Sequence, residues 1–272
     1  QELQLRILPE QAASEQSIKL YVAREKGLDA RTIKAVRTLK RSIDARQRTI
    51  YVNLTIRIYI NELPTDDEYT ETYYPMVDEG PEVIIVGAGP AGLYAALRLI
   101  ELGFKPILFE RGKEVVERGK DIAKIQRNQG VNPDSNYAFG EGGAGTFSDG
   151  KLFTRSKKRG DYNRALQRLV YHGASPEILY EAHPHIGSDR LPRIIANMRD
   201  AIRAAGGEVH FEKRVDELLL RNGRVEGVVV GGDKVLAQYV VVATGKASKE
   251  FHGMIRLNAS AASLFNRLKK ES

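Results

Sequence analysis

The sequence predicts an α/β chain: a parallel-sheet domain carrying a three-stranded β-meander excursion, preceded by a small α+β domain. Three observations carry this expectation. The apolar run Val83-Ile84-Ile85-Val86 opens into the turn Gly87-Ala88-Gly89-Pro90-Ala91-Gly92 and a helical stretch to about Leu102, and a second run, Pro106-Ile107-Leu108-Phe109, ends on Glu110. Far downstream, alternating runs are separated by the turn sequences Arg221-Asn222-Gly223-Arg224 and Gly231-Gly232-Asp233-Lys234. A strictly alternating run at 49–60 stands apart from both. The division expected is 1–75 as a small basic module with an acidic linker and 76–272 as the larger domain.

In the first module, 4–8 reads as a strand and 14–26 as a helix stopped by Gly27. In the run at 49–60, Ile50, Val52, Leu54, Ile56, Ile58 and Ile60 share one face, with polar groups and tyrosines on the other. A lone strand of this kind is unstable, so it must pair within the module or along the main domain. Residues 1–60 carry a net charge of +6, residues 61–80 carry −7, and the remainder carries +8. The acidic stretch Asn61-Glu62-Leu63-Pro64-Thr65-Asp66-Asp67-Glu68 therefore reads as a solvated linker. Lys34, Arg37, Lys40, Arg41, Arg46 and Arg48 admit a nucleic-acid footprint or a solvated strand whose charges protect an edge. The second is favoured, because no aromatic and glycine pattern of an RNA-binding module accompanies them.

At 272 residues, 42% hydrophobic and 28% charged, the sequence is ordinary for a globular protein with a sizeable core. No apolar run approaches the ~20 residues of a membrane span, and no signal-like apolar segment opens the sequence. A cytoplasmic location is expected. With no Cys in it, this stretch has no disulfide, thiolate metal site or redox dithiol.

The glycine turn is the chief functional signal. Gly87 allows a tight turn, Gly89 lets a pyrophosphate approach the backbone, and Gly92 lets helix and strand pack closely, with Ala88, Pro90 and Ala91 completing the loop. A helix starting there presents free N–H groups and a partial positive charge to phosphates. Glu110, followed by Arg111, stands where a carboxylate accepts hydrogen bonds from an adenosine ribose. Strand, turn, helix, strand and acid in that order predict a Rossmann-like FAD/NAD(P)-binding domain. Downstream, 191–205 reads as an amphipathic helix ended by Gly206-Gly207. Three β segments come next, 208–211 into 215–220, then 225–230, then 235–242, and the last runs into Ala243-Thr244-Gly245.

That order resembles the glutathione-reductase-type flavoprotein superfamily. The resemblance implies FAD rather than NAD, with the Val215 main chain near the adenine and Thr244-Gly245 close to the cofactor. The glycine-dense stretch 137–152 matches a loop that such proteins carry where backbone passes close to the pyrophosphate or isoalloxazine. Gly142 and Gly143 then serve the close approach, and Ser148 serves as a donor to a phosphate or ring atom; the alternative is a surface loop. With His183-Pro184-His185-Ile186-Gly187, this loop is similar to that of a group of bacterial FAD-dependent dehydrogenases of uncharacterised substrate. His183 and His185 do not match zinc spacing, and no metal is expected. The favoured role there is structural, with Asp189 capping the following helix, ahead of a catalytic or flavin-facing role for the histidines. Lys151 stands either beside the flavin or on the surface.

The superfamily usually closes its FAD site with a later Gly-Asp element and a helix, and nothing between Lys246 and Ser272 fits it. An incomplete molecule is therefore expected, with a terminal helix at 259–270 and weak or absent FAD binding by 1–272 alone. The function expected is an FAD-dependent oxidoreductase acting on a small molecule, with NAD(P)H as a possible electron donor and catalytic residues unassigned. Nucleic acid and membrane partners are not expected. Two alternatives stand: an enzyme similar to the thiazole-biosynthesis proteins, which use NAD and no flavin, and a non-catalytic dinucleotide- or nucleic-acid-binding protein.

Overall fold

The structure is a computed structural model that describes residues 1–65, 72–152 and 161–245. The terminal helix expected at 259–270, the residues from Lys246 onward, and Asp66 to Glu68 of the acidic stretch lie outside the described residues. The chain forms two compact units, 1–72 with 149–187 and 73–148 with residues from 188 onward. The division expected at 75 puts 149–187 in the larger domain, whereas compactness groups that segment with 1–72.

The first unit is built on β1 (Glu2–Ile7), α1 (Glu15–Lys26), β2 (Ile33–Asp44) and β3 (Tyr51–Ile60), in an antiparallel sheet ordered β1-β3-β2. The alternating strand thus pairs on both sides within its own unit. Val52, Leu54, Ile56 and Ile58 are buried with Ile18 and Val22 of α1, while Ile50 precedes the strand and is exposed. Ser14 caps α1 by accepting the Ser17 amide at 3.0 Å, and Gly27 ends it with φ of 64°. The outer edge of β2 is met by residues 180–182: the Arg41 amide donates to the Tyr180 carbonyl and the Ala182 amide to the Arg41 carbonyl, each at 2.9 Å. This unit also contains α4 (Tyr162–Tyr171), capped by Asp161.

In the second unit, β4 (Glu82–Val86), α2 (Pro90–Glu101), β5 (Lys105–Phe109), α3 (Val115–Gln126) and α5 (Leu191–Ala204) precede β6 (Glu208–His210). Then come β7 (Val215–Arg221), β8 (Arg224–Val230), β9 (Asp233–Leu236) and β10 (Tyr239–Val242). The sheet β10-β4-β5-β6 is wholly parallel, and β7-β8-β9 is a separate antiparallel meander. Strand β4 lies between β5 and β10, so the order reverses direction beside it, the place where open α/β sheets form a crevice. Ile84, Val86, Ile107 and Phe109 of the sheet share one core with Val215, Leu218, Val228 and Val230 of the meander.

Two segment boundaries differ from expectation. The run 208–211 does not continue into the meander but lies beside β5, and 235–242 splits into β9 of the meander and β10 of the parallel sheet. A period of two identifies a strand but not the sheet that takes it. Asp189 also does not cap α5. Arg190 occupies the cap position in right-handed helical backbone without a side-chain bond, and Pro192 in the first turn removes one of the amides to be capped.

Candidate functional site

A cavity of about 390 Å³ opens at the carboxyl ends of β4, β5 and β10, walled entirely by residues of the second unit. Of the residues singled out from sequence, Gly87, Gly89, Pro90, Ala91, Glu110, Arg111, Gly143, Val215, Thr244 and Gly245 line it. Ala88, Gly92 and Gly142 are buried outside the lining, and Ser148 is exposed on a turn, its hydroxyl donating to the Gly145 carbonyl at 2.7 Å.

The glycine turn has a physical reason at each glycine. Gly87 has φ of 103°, and a Cβ on it would stand 2.9 Å from the Ala243 carbonyl oxygen, so the turn lies directly against the chain leaving β10. On Gly92 a Cβ would stand 1.9 Å from the Gly87 carbonyl oxygen, which is how α2 packs onto its own strand. Gly89 differs: among the described residues, its chain neighbours aside, no atom lies within 4 Å of where its Cβ would be. It is the N-cap of α2, and Pro90 fills the first helical position, so the bare N-terminal turn of the helix faces the cavity.

Glu110 joins three segments. Its side chain, 6% exposed, accepts the Ala88 amide at 2.8 Å through Oε2, and the Gly112 and Gly140 amides at 2.9 and 3.1 Å through Oε1. The carboxylate expected to face a ribose is therefore also the brace between the glycine turn and the glycine-rich loop. Arg111 beside it pairs with Asp134 through Nε at 2.8 Å and lies 4.3 Å from the centre of the Phe139 ring, another lining residue.

The glycine-rich loop docks on the turn through the Gly142 amide, which donates to the Ala88 carbonyl at 2.8 Å. Both hydrogen-bonding groups of the Ala88 backbone are thus used inside the protein. Three residues that hold the loop were not singled out from sequence. Arg118 of α3 is fully buried and donates to the carbonyls of Asn136, Tyr137 and Glu141 at 2.9, 3.1 and 2.6 Å and to Thr146 Oγ1 at 3.2 Å. The Glu141 carboxylate accepts the Val115 amide at 2.7 Å and Arg199 Nη1 at 3.0 Å. Burial lowers Arg118 to about 10, and burial also pushes Glu141 up to about 6 despite the Val115 amide and the Arg199 charge. Arg118 and Arg199 sit in amphipathic helices where an arginine reads as a surface charge. Glu141, a lone acid between glycines, carried the one usable signal.

His183, His185 and Lys151 belong to the first unit. Both histidines are exposed, Lys151 and His185 pair as an isolated antiparallel bridge, and Lys151 Nζ lies 3.1 Å from Asp149. Among the described residues no group of three or more His, Cys, Asp or Glu is placed to hold a metal, and no helix is long and apolar enough to cross a membrane.

Comparison with known proteins divides the chain in two. Residues 1–59 match a domain of unknown function (DUF8436). An uncharacterized protein of Clostridium beijerinckii is 36% identical over 232 residues, covering 80% of this chain and 43% of its own length. The thiamine thiazole synthase of Aeropyrum pernix is 28% identical over 204 residues, covering 68% of this chain and 63% of its own length. The chain thus spans less than two thirds of either relative. Among solved structures, Thermovibrio ammonificans THI4 is 20% identical with a TM-score of 0.44, covering 66% of this chain and 63% of that one. CtdE in complex with FAD is 18% identical with a TM-score of 0.36, covering 64% and 40%. Residues 81–264, which contain the glycine turn, Glu110, the glycine-rich loop and the meander, match the pyridine nucleotide-disulphide oxidoreductase family, and the chain belongs to that family of FAD- and NAD(P)-binding oxidoreductases.

Proposed function

We propose that the chain is the dinucleotide-holding part of an FAD-dependent oxidoreductase, a dehydrogenase of a small-molecule substrate. The observation that carries this is the convergence of the bare Gly89 backbone, the α2 N-terminus, Glu110 and Gly143 on one cavity. The residues fit the group. Of the three glycines of the turn, Gly89 is the one at which the described residues leave empty the volume a side chain would fill, and a pyrophosphate needs that approach.

The first turn of α2 then offers unpaired amides and the positive end of its dipole to the pyrophosphate. Glu110 Oε2, with one amide already bound, retains lone-pair capacity for a ribose hydroxyl. Val215 meets the adenine end through its main chain, and Gly143, Thr244 and Gly245 face the rest of the cofactor. The geometry favours Gly143 over Gly142 and Ser148 for contact, since those two lie outside the lining. When bound, FAD supplies the hydride and electron chemistry, with the protein contributing placement and exclusion of water. This stretch has no cysteine to relay electrons, so within it a substrate or NAD(P)H is the partner left to exchange them with the flavin.

The test is the visible spectrum of protein expressed from its full-length gene, with HPLC of the compounds that denaturation releases. Released FAD supports the proposal, and a colourless protein overturns it. Release of NAD would favour a second reading, to which the similarity to a thiamine thiazole synthase points.

A further inference from the structure

We propose that Arg118 is the positioning residue that shapes the glycine-rich loop to receive the dinucleotide; this rests on the reading that the cavity holds FAD. The loop makes the cavity wall with Ala138, Phe139, Gly140, Gly143 and Ala144. It has no regular secondary structure to set its form. Its form is set from two sides. On the cavity side Glu110 takes the Gly140 amide, and behind the wall Arg118 takes the carbonyls that flank the lining residues.

The Arg118 donors reach Asn136, Tyr137, Gly140, Glu141 and Thr146, so one side chain fixes the loop at five places over eleven residues. The planar fork of guanidinium N–H groups suits this, and a lysine ammonium does not reproduce it. Fit is tight: Gly140 has φ of 114°, and a Cβ there would stand 2.4 Å from Arg118 Cδ. Among the described residues no carboxylate lies within 4.0 Å of the guanidinium. Loop carbonyls and the Thr146 hydroxyl therefore take its hydrogen bonds, while Glu110 and Glu141 act on this buried cation from farther away. An apolar side chain would fill the space at lower desolvation cost but would leave those carbonyls unbonded and the loop unshaped.

The experiment uses protein from the full-length gene with Tyr137→Trp as reporter, its signal taken as the difference from the same protein without that substitution; Tyr137 is an exposed residue of the loop, and this stretch has no tryptophan of its own. FAD affinity is titrated and tryptophan anisotropy measured in the Arg118→Lys and Arg118→Ala backgrounds, with circular dichroism as the folding control. The expected result is FAD affinity lower by about tenfold or more in both, lower anisotropy without FAD, and partial recovery of Arg118→Ala in millimolar guanidinium. Unchanged affinity in a folded variant, or lost affinity with unchanged anisotropy, would overturn the proposal. If Arg118→Ala does not fold, Arg118→Lys decides alone. Failure of the unsubstituted protein to take up FAD would instead remove the functional reading, and the anisotropy comparison would still decide whether Arg118 shapes the loop.

Discussion

Glu110 Oε2 and the Ala88 amide lie 2.8 Å apart, and through this bond an acid at the end of one parallel strand holds the glycine turn at the end of the next. The same carboxylate holds Gly112 and Gly140, so the shape of the cavity depends on the side chain to which the proposed function also gives recognition of the cofactor.

Replacing Glu110 separates these dependencies. Glu110→Ala leaves three buried amides without acceptors, each costing about 1–3 kcal/mol, and is expected to lower both the melting temperature and FAD affinity, the latter by more than about tenfold. Glu110→Gln keeps one oxygen but turns an NH2 group toward an amide donor, so it is expected to fall between wild type and alanine. Fluorescence titration with FAD and thermal melts of the cofactor-free protein read the two effects.

The two glycines of the turn are expected to respond in opposite ways. Gly92→Ala drives a Cβ into the Gly87 carbonyl, 1.9 Å away, and should destabilise the fold by about 3 kcal/mol or more. Gly89→Ala meets no atom of the described residues beyond its chain neighbours and keeps ordinary backbone angles, φ −72° and ψ −178°, so denaturant melts should match wild type within about 0.5 kcal/mol. FAD uptake should nonetheless fall at least about tenfold. Retention of full affinity by Gly89→Ala would remove the pyrophosphate from that position.

Glu141 should oppose stability as pH rises. Burial raises its folded value from 4.5 to about 6, so the folded state holds the extra proton and stability is lost between these values as pH increases. The loss amounts to about 2 kcal/mol. Denaturant melts at a series of pH values should show this slope in wild type relative to Glu141→Gln, which has no proton to lose.

His172 should act in the opposite direction. Burial, with the Arg168 charge adding to it, lowers it from 6.5 to about 4, so protonation of the unfolded chain drains stability as pH falls through that window. The effect is about 3 kcal/mol at its full extent. Comparing melts of wild type and His172→Gln from pH 7 down to 4 isolates it; identical slopes would remove the assignment.

Much of the fold was legible in local pattern. The alternation from Val52 to Ile58, the first helix with its Gly27 stop, and the strand, glycine turn and helix at 82–101 all arise from interactions among neighbouring residues. Legibility ended where the partner was distant. The 208–242 stretch showed strands but not that its first and last segments would join β5 and β4 across the parallel sheet. Asp189 fitted a capping pattern, yet the cap position fell on Arg190, whose backbone is already helical.

By itself the sequence determined the α/β class, the glycine turn with its acid, and the glycine-rich loop as one set, because spacing along the chain is enough to specify a turn, a helix start and a strand end. Tertiary structure alone decided which of those residues face the cavity. It placed Gly143 on the wall and Gly142 behind it, made Glu110 a brace as well as a lining residue, and buried Arg118 and Glu141 under the loop. Those outcomes depend on contacts between segments 18 to 58 positions apart, where a charged side chain becomes a buried tie only because the fold supplies its partners.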